Sequence, residues 1–539
     1  MRVLFLVVPI ALAASARAQA LGPPPTPPEN PITEPKRILG KALFWDEQLS
    51  SDNTVACGTC HIPSAGGSDP RLEMDSRHPG LDGIYGGEDD RFASRGVRRA
   101  DVQGHYEPDP LFGFEAQVTG RRSPTNLGAA FFDELFWDGR AGDTFIDPLT
   151  NLVSIPSGGA LESQSLGPIL SFVEMADDGR TWSDVTSKLE RIEPLALATN
   201  LNPDLTGALA AYPDYPALFA AAFGDSTITP ERIAFALATY QRTLHPDQTP
   251  WDLYEQGQTT ALTPQEIQGM NSFFSSSNRC ADCHAAPLFS DGSYRNIGLR
   301  AIAEDNGRQG VTGDFADRGK FKVPTLRNAG LRTRFFHNGD PTFNTLFVAV
   351  FLYNQGAGFF LDNKDPILNS VFMSPTTAGN ITAFIEGGLT DPRVAAELPP
   401  FDRPTLRSEL EPSTTLLSSA REGSGGFTPT IVATAPTMVG NAEFRVGVHD
   451  ALGGAAALLV VTVATPSTTP YAPHALGQRL AFPFVLGGVG SGEGHATWTY
   501  PIPSNTALVG SQVRLRWLIA DPGAINGLAY TQNASATLF

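Results

Sequence analysis

Two short segments hold all four cysteines of the chain, and each has the pattern C-x-x-C-H. They are Cys57-Gly58-Thr59-Cys60-His61 and Cys280-Ala281-Asp282-Cys283-His284. This pattern attaches c-type haem, because two thiols bond covalently to the porphyrin and the adjacent imidazole binds the iron. A four-cysteine zinc site brings its pairs within about 15–20 residues, and neither zinc nor a redox disulfide explains the repeated histidine. The sequence therefore predicts two covalently bound haem c groups, with His61 and His284 as iron ligands.

The charge and hydropathy of the chain limit its surroundings and its partners. Residues 1–20 combine Met1-Arg2, an apolar run and small residues at a cleavage spacing, which predicts a secretory signal peptide and a periplasmic or otherwise exported protein. No later run reaches about 18 uninterrupted apolar residues, so no membrane span is expected. The formal net charge of −18 argues against nucleic acid as a partner, and it favours solubility or the steering of a cationic partner protein.

A length of 539 residues predicts several domains. The expected fold class is mainly α, with two c-type cytochrome domains that contain long loops, plus a C-terminal all-β, sandwich-like domain. Alternating apolar residues such as Val513, Leu515, Trp517 and Ile519 predict the strands of that last domain. The predicted order is a proline-rich linker over 21–35, an N-terminal cytochrome c domain with haem 1 over 36–250, a C-terminal cytochrome c domain with haem 2 over 251–410, a linker over 411–426 and the β-sandwich over 427–539.

A helix is expected to lead into each haem motif. Leu39, Leu43 and Phe44 fall at helical spacing ahead of the first motif. Thr263-Pro264-Gln265-Glu266 is a capping box with proline at N1, and it predicts a helix that runs to Cys280. Further helices are predicted over 217–223, 230–244 and 346–353. Residues 62–120 lack periodicity and are expected to form an ordered cover over haem 1.

Several longer segments beyond the haem motifs carry a resemblance to a known family. They are Leu39-Gly40-Lys41, Phe136-Trp137-Asp138-Gly139-Arg140-Ala141, Gln164 with Pro168, Glu174-Met175, Pro324-Thr325-Leu326-Arg327-Asn328, Phe336-His337-Asn338-Gly339 and Leu389-Thr390-Asp391-Pro392-Arg393. Over roughly residues 31–406 the chain resembles the bacterial di-haem cytochrome c peroxidases, which include the MauG-type enzymes that oxidise side chains of a partner protein. The resemblance implies that haem 1 reacts with hydrogen peroxide and that haem 2 stores or relays electrons.

The resemblance also implies roles for four residues around haem 1. Trp137 matches the tryptophan between the haems, whose indole carries an electron across a gap that neither porphyrin bridges alone. Glu174 matches the distal acid, which can move a proton between the two oxygens of bound peroxide so that water leaves as their bond breaks. Gln164 and Pro168 match neighbouring positions and are expected to shape the pocket.

The sixth ligand of haem 2 divides the family that the chain resembles. Conventional peroxidases place methionine there, whereas MauG-type enzymes place tyrosine, seven residues after the leucine of a Thr-Leu pair. Here Thr345-Leu346 leads to Tyr353, so the resemblance implies that Tyr353 binds the haem 2 iron. A phenolate favours oxidised iron and lowers its reduction potential, while a thioether sulfur favours reduced iron.

Other positions depart from the pattern of the family. The distal histidine that blocks haem 1 in typical peroxidases falls near Phe114, which predicts an iron open to peroxide. Arg122 and Arg332 occupy two positions that supply calcium ligands in the family, and a guanidinium cannot bind calcium, so calcium is doubtful here. Asn278 stands where MauG-type enzymes have a surface tryptophan that accepts holes from the substrate protein.

The leading hypothesis is an exported di-haem c-type oxidoreductase that reacts with hydrogen peroxide at haem 1. It shares oxidising equivalents with a His284/Tyr353-ligated haem 2, as MauG does, and a partner protein is then oxidised. The first alternative is a conventional di-haem cytochrome c peroxidase that takes electrons from a small cytochrome or copper protein. The second alternative is an electron-transfer cytochrome without catalysis.

Overall fold

The computed structural model describes residues 21–71, 76–354, 356–410, 412, 414–464 and 478–539. The predicted signal peptide, 1–20, lies outside the described residues. Within this part of the chain, no helix combines the length and the apolar character needed to cross a bilayer.

Helices are the main regular elements of the haem-binding region. Their bounds are α1 Glu34–Trp45, α2 Cys57–Cys60, α3 Ala160–Leu170, α4 Trp182–Leu189, α5 Pro203–Ala211, α6 Tyr215–Phe223, α7 Pro230–Thr243, α8 Pro250–Glu255, α9 Pro264–Phe273, α10 Gln309–Thr312, α11 Leu346–Phe351, α12 Pro375–Ala383 and α13 Pro392–Ala395. Several begin at the N-caps that the sequence predicts: the Thr229 hydroxyl accepts a hydrogen bond from the Arg232 amide, and Thr263 and Glu266 form the expected capping box.

The first haem motif is held by a pair of helices that cross at a glycine. In α1, Leu39 and Leu43 are fully buried against the core, and Gly40 faces α7. A Cβ atom at Gly40 would lie 1.9 Å from the carbonyl oxygen of Ala236, so only glycine permits this close approach. The predicted amphipathic helix before Cys57 is therefore present, and it packs backbone to backbone on α7.

The second haem motif repeats this arrangement with different side chains. Helix α9 precedes Cys280 and packs against α12, and Gly269 is the crossing point. A Cβ atom at Gly269 would lie 1.9 Å from the carbonyl oxygen of Asn380. Helix α9 ends at Phe273 rather than at Cys280, because the side chains of Ser275 and Asn278 each donate a hydrogen bond to the carbonyl oxygen of Ser272.

A longer internal repeat follows each haem motif, and its two copies are residues 123–140 and 323–340. Both copies begin with Pro-Thr after one residue and end with Phe-x-x-Gly. Both contain a short 3-10 turn, Ala129–Phe131 in the first and Ala329–Leu331 in the second. Phe136 and Phe336 take the same left-handed conformation, with φ of 67° and 63°. The repeat places Trp137 and His337 at equivalent positions.

The described residues of the long segment before this repeat, 62–71 and 76–120, form no α-helix. The segment carries the short strands β1 Arg77–His78, β2 Arg91–Phe92, β3 Arg95–Arg98 and β4 Ala116–Val118, which form two antiparallel ribbons, β1–β2 and β3–β4. Two similar ribbons follow later, from β5 Phe145–Ile146 with β6 Val153–Ile155, and from β7 Tyr294–Arg295 with β8 Phe321–Lys322. From this segment, Arg91, Ser94, Arg95 and Gly96 line the cavity beside the first haem motif.

The C-terminal part consists of two antiparallel sheets that enclose one apolar core. Its strands are β9 Thr414–Leu417, β10 Thr430–Val432, β11 Arg445–Leu452, β12 Ala456–Ala464, β13 Gln478–Val485, β14 Ser491–Thr499, β15 Gln512–Ala520, β16 Leu528–Tyr530 and β17 Asn533–Thr537. One sheet has the order β10-β11-β14, and the other β13-β12-β15-β17-β9 with β16 also paired to β15. Along β15 the four predicted apolar residues are buried, which confirms their alternation.

Two domain limits differ from the sequence-based expectation. The predicted linker 411–426 contains strand β9, which pairs with β17 and so belongs to the sheet. The predicted second haem domain was extended to residue 410, yet Val394, Phe401 and Leu406 are fully buried in the core of the first unit. The chain therefore returns to the first unit after it has built the second.

The β-domain is docked on the first haem unit through buried polar contacts. The guanidinium of Arg445 on β11 is 2% exposed, donates to both carboxylate oxygens of Asp177 at 3.0 and 3.1 Å, and also donates to the carbonyl oxygen of Gly104. Asn53, four residues before Cys57, donates to the side chain of Asn441 at 2.9 Å. The β-domain thus contacts the chain just before the first haem motif and just after Glu174.

A buried ion pair fixes the second haem motif relative to α8. Arg327, 2% exposed, donates two hydrogen bonds to the carboxylate of Asp252, at 2.7 and 2.8 Å, and a third to the carbonyl oxygen of Pro287, three residues after His284. Asp252 is fully buried and is itself the third residue of the α8 capping box. One side chain therefore joins the haem-motif loop, α8 and the second internal repeat.

We expect Arg327→Met to lower the free energy of unfolding by about 3–5 kcal/mol, because it leaves the Asp252 carboxylate buried without its partner. Urea denaturation followed by circular dichroism measures this change. The control is Arg99→Met, which removes a partly exposed pair with Asp178 and is expected to cost less than about 1 kcal/mol. Equal losses in the two variants would contradict the structural role of Arg327.

Candidate active site

A large cavity opens beside the first haem motif. Its volume is about 990 Å³, and its wall includes Cys57, Cys60 and His61. Four residues singled out from the sequence line the same cavity, namely Trp137, Gln164, Pro168 and Glu174. The structure thus brings together side chains that are more than 100 residues apart in the sequence.

A narrower cavity of about 200 Å³ lies beside the second haem motif. Cys280, Cys283 and His284 line it, and Tyr353 lies in its wall. Tyr353 follows the end of α11 at Phe351 and packs on the apolar core of the second unit. Burial raises the pKa of the Tyr353 phenol above its ordinary value, so the phenol stays protonated at neutral pH unless a bound cation stabilises the phenolate.

The two histidines of the haem motifs have the same orientation. Nδ1 of His61 is 3.0 Å from the carbonyl oxygen of Gly67, and Nδ1 of His284 is 3.0 Å from the carbonyl oxygen of Phe289. Each Nδ1–H therefore donates a hydrogen bond to a backbone carbonyl oxygen, so Nε2 carries the lone pair that can bind a metal. Burial lowers the pKa of both rings, which keeps them neutral and able to bind a metal.

The four thiols are free in this structure and are kept protonated by burial. Burial raises the pKa of Cys57, Cys60 and Cys280 to about 12, and that of Cys283 to about 11. Among the described residues, no group of three or more His, Cys, Asp or Glu side chains is placed to hold a metal ion, so neither cavity offers the four ligands of a structural zinc site. The donor set of each cavity, two thiols with one neutral imidazole, fits covalent haem attachment.

The two cavities share one wall, and Trp137 lies in it. Eight further residues line both cavities, namely Arg122, Ser123, Asp305, Lys322, Val323, Pro324, Thr325 and Arg332. The indole Nε1 of Trp137 donates a 2.8 Å hydrogen bond to the carbonyl oxygen of Arg122. Trp137 therefore lies in the wall between the two cavities that contain the haem motifs, and a backbone acceptor fixes its indole.

The aromatic group in this wall extends beyond Trp137. The ring of His337 meets Trp137 edge to face at a centroid distance of 6.3 Å, and it stacks on Phe321 at 3.7 Å. Burial lowers the pKa of His337 to about 3, so the ring is neutral. His337 lines the second cavity, and its carbonyl oxygen accepts a hydrogen bond from the amide of Arg122. The repeat equivalents Trp137 and His337 thus meet at the shared wall.

Glu174 reaches the first cavity from a turn that follows α3. Its carboxyl is partly buried, and burial raises its pKa above the ordinary value of 4.5, while Ser171 and Arg140 act in the opposite direction. Gly96 on β3 packs directly on the backbone of Val173 and Glu174 and lines the same cavity. The carboxyl is therefore positioned by a strand of the long cover segment, a contact that sequence reasoning did not find.

Gln164 and Pro168 lie one turn apart on α3 and face the first cavity. The neighbouring Ser165 accepts a hydrogen bond from the side chain of Gln241 on α7, which also lines that cavity. The helix α3 is thus held against α7, and its exposed edge forms part of the cavity wall.

Two positions compared with the family pattern have other surroundings in this structure. Phe114 does not line the first cavity; its ring stacks on His449 of β11 at a centroid distance of 4.9 Å and so belongs to the contact with the β-domain. The alignment to Phe114 was carried across an aperiodic stretch, which explains its misplacement. Asn278, which stands where MauG-type enzymes have a surface tryptophan, is 6% exposed and caps the end of α9.

The second cavity contains one residue that sequence reasoning missed. Met373 is buried, lines this cavity together with Tyr353, and offers a thioether sulfur. Its amide donates a 3.0 Å hydrogen bond to the side chain of Asn354, the residue after Tyr353. No spacing rule links Met373 to the haem motif, so the sequence carried no signal for it.

Comparison with known proteins agrees with this geometry. The family model described as di-haem cytochrome c peroxidase matches residues 34–260. The methylamine utilization protein MauG of Methylorubrum extorquens is 31% identical over 324 residues, which are 59% of this chain and 68% of that protein. The cytochrome c peroxidase Ccp of Escherichia coli (strain K12) is 28% identical over 353 residues, 64% of this chain. The chain therefore belongs to the di-haem cytochrome c peroxidase family.

The matches do not extend over every relative in full. The chain spans 59% of the length of the E. coli protein. Among solved structures, a MauG-like protein associated with microbial copper homeostasis has a TM-score of 0.50 and 22% identity, and the match covers 71% of this chain and 96% of that one. This likeness shows the fold of the haem-binding region. The sequence-based prediction of a di-haem peroxidase-type enzyme is confirmed at the level of the family.

We expect Gly96→Ala to disturb the position of Glu174. A Cβ atom there would lie 1.9 Å from the carbonyl oxygen of Val173 and 2.8 Å from Cα of Glu174, an overlap that costs about 1–3 kcal/mol. Urea denaturation and the electronic spectrum of the haem-loaded protein report the loss. Gly142→Ala serves as control, because nothing lies within 4 Å of its Cβ position. A Gly96→Ala protein with unaltered stability and spectrum would rule out this contact.

Proposed function

We propose that this chain is an exported di-haem c-type enzyme that reduces hydrogen peroxide in the first cavity and shares the oxidising equivalents with the second. The overall reaction consumes one peroxide, two electrons and two protons and forms two waters. The observation that supports it most strongly is the shared wall, because Trp137 lies between two cavities that each contain a complete C-x-x-C-H motif. When bound, haem supplies an iron that exchanges electrons with peroxide and holds oxidising equivalents.

The residues of the first cavity support a role in proton transfer. Glu174 in its carboxylate form accepts the proton of one peroxide oxygen and delivers it to the other, so that water leaves as the O–O bond breaks. The raised pKa of Glu174 brings the carboxyl closer to neutral pH, where such a transfer is efficient in both directions. Gln164 and Pro168 shape the cavity beside it and restrict where peroxide can bind.

The residues between the cavities support a route for electrons. The indole of Trp137 is buried, and a backbone acceptor fixes its Nε1–H, so its ring position does not change during transfer. His337 and Phe321 extend the aromatic group toward the second cavity. An electron that leaves the second cavity through this group would reach the first within the interior of the protein.

The second cavity supports a function in which oxidising equivalents are stored. We infer that Tyr353, which lines the same cavity as His284, would bind the haem 2 iron as phenolate, since a hard anionic donor lowers the reduction potential of the iron. The electrons then come from a redox partner, either a protein whose side chains are oxidised, or a small cytochrome or copper protein. Met373 supports a second candidate function, a conventional peroxidase with a thioether ligand and a haem 2 of higher potential.

We expect Tyr353→Phe to change the ferric electronic and EPR spectra of haem 2, because it removes the phenolate ligand. Tyr353→Met is expected to restore six-coordination and to raise the reduction potential of haem 2. Met373→Leu is the matched control in the same cavity and should leave both properties unchanged. Spectra that are unaltered in Tyr353→Phe and altered in Met373→Leu would instead assign the ligand to Met373.

We expect the rate of the peroxide reaction to rise with pH through an apparent pKa above 4.5, because the carboxylate of Glu174 is the proton acceptor and burial raises its pKa. Glu174→Gln should lower the rate by about 10²- to 10⁴-fold and abolish this pH dependence. Glu174→Asp keeps the carboxyl and should retain the pH dependence at a reduced rate. Stopped-flow mixing with peroxide measures all three, and a Gln variant with the rate and pH profile of the wild type would exclude this role.

A further inference from the structure

The wall shared by the two cavities contains two arginines, Arg122 and Arg332, with buried guanidinium nitrogens that lack hydrogen-bond partners among the described residues. Arg122 is 3% exposed, and its Nη2 donates to the backbone carbonyl of Asp69, but Nε and Nη1 have no hydrogen-bond partner among the described residues. The Nε and Nη2 atoms of Arg332 are also buried without a partner in the described part of the chain. Four guanidinium nitrogens therefore lack acceptors.

Neighbouring basic residues differ from these two. Arg121, which lines the first cavity, donates to Asp138 at 2.5 Å and to Asp305 at 2.7 Å. Lys322, which lines both cavities, donates to the carbonyl oxygen of Glu134. Asp69 is the carboxylate near Arg122, but both of its oxygens already accept hydrogen bonds from Arg71. The carboxylates of Asp69, Asp138 and Asp305 thus already accept hydrogen bonds from other arginines. No described carboxylate pairs with Arg332.

The buried guanidinium groups of Arg122 and Arg332 need an anion to accept their free hydrogen bonds. Burial lowers the pKa of Arg122 and of Arg332 to about 10, and each is further lowered by repulsion from a neighbouring arginine: Arg334 acts on Arg122, and Arg122 acts on Arg332. A buried charge without a partner is strongly destabilising. Arginines in such a position are stable only when an anion completes their hydrogen bonds.

The positions of Arg122 and Arg332 in the fold limit which anion can bind to them. Arg122 precedes the first internal repeat yet lines the second cavity, and Arg332 lies in the second repeat yet lines the first cavity. The side chain of Arg332 packs along Gly66, in the loop after His61, where an added Cβ would lie 3.0 Å from Arg332 Cγ. Each guanidinium is therefore accessible from both cavities.

We propose that Arg122 and Arg332 form a carboxylate-binding site that is shared by the two cavities and holds propionates of the haem groups. This inference rests on the haem binding in the proposed function and adds a ligand contact to it. A guanidinium presents paired N–H donors in the geometry of a carboxylate, so four free nitrogens can hold one propionate from each side. The site also places positive charge in the wall between the two cavities that would hold the haem groups.

The site has a consequence for electron transfer. Positive charge beside a haem disfavours the more positive ferric state and raises the reduction potential, and a residue between two haems acts on both. It also repels cations, so the arginines take the place of a metal ion at this wall. The electrostatic effect is strong because the wall is buried and poorly screened by salt.

The experiment uses the full-length, haem-loaded protein with Arg122→Met and Arg332→Met, and with Arg122→Lys and Arg332→Lys as charge-preserving variants. Midpoint potentials come from a spectroelectrochemical titration, and resonance Raman spectra report the propionate bending modes. We expect each Met variant to lower the potential of at least one haem and to shift a propionate mode. The Lys variants should keep the potentials closer to the wild type while the propionate mode still shifts, since lysine lacks the paired donors.

The control is Arg232→Met, which removes one positive charge outside both cavities, where Arg232 pairs with Asp225. It should change neither readout. Unchanged potentials and propionate modes in both Met variants, with two haems counted per chain, would overturn the proposal. If the Met variants lose haem, unchanged propionate modes in both Lys variants would overturn it equally.

Two further measurements separate the remaining explanations. Exchange of the buffer anion among chloride, formate and acetate should leave the wild-type potentials constant, and a shift would assign the site to a free anion instead. Calcium chelation should also leave them constant, and a change would contradict the placement of arginines in a metal position. Failure of the proposed function would show separately, as a ferric spectrum that peroxide does not alter, without any bearing on the propionate modes.

Discussion

The hydrogen bond from the indole of Trp137 to the backbone of Arg122 is the contact on which the arrangement of the two haem cavities depends. It fixes a large aromatic ring in a wall that both cavities share, and the amide of Arg122 donates in turn to the carbonyl oxygen of His337. One residue of backbone thus joins the two internal repeats. Because both repeats end in the same left-handed Phe and Gly conformations, their aromatic residues, Trp137 and His337, meet at this wall rather than facing solvent.

The β-domain contacts the first haem unit at two places close to the first cavity. Its Arg445 pairs with Asp177, which lies three residues after Glu174, and its Asn441 contacts Asn53 just ahead of the first haem motif. These polar groups are buried, so separating the domain would leave charged and amide groups without partners. The β-domain therefore stabilises both the loop that leads to the first C-x-x-C-H motif and the segment that carries Glu174.

The sequence predicted the parts of the site that local chemistry determines, and it failed where distant segments meet. The capping box at Thr263 and the alternation in β15 are local patterns, and the structure contains the helix and the strand that they predict. The C-x-x-C-H spacing is also local, and in each copy the two cysteines and the histidine line one cavity. The contact of Gly96 with Glu174, the entry of Met373 into the second cavity and the return of Phe401 to the first core depend on tertiary packing. The misplacement of Phe114 has the same cause, because the segment before it has no periodicity.

We propose that one haem iron is accessible to peroxide while the other is bound by His284 and Tyr353. The EPR spectrum of the resting ferric protein, recorded together with its room-temperature electronic spectrum, tests this proposal most directly. We expect one high-spin haem, with an open sixth position, and one low-spin haem with two protein ligands. Two low-spin signals that persist in every oxidation state would contradict it, because neither iron would then be free to react.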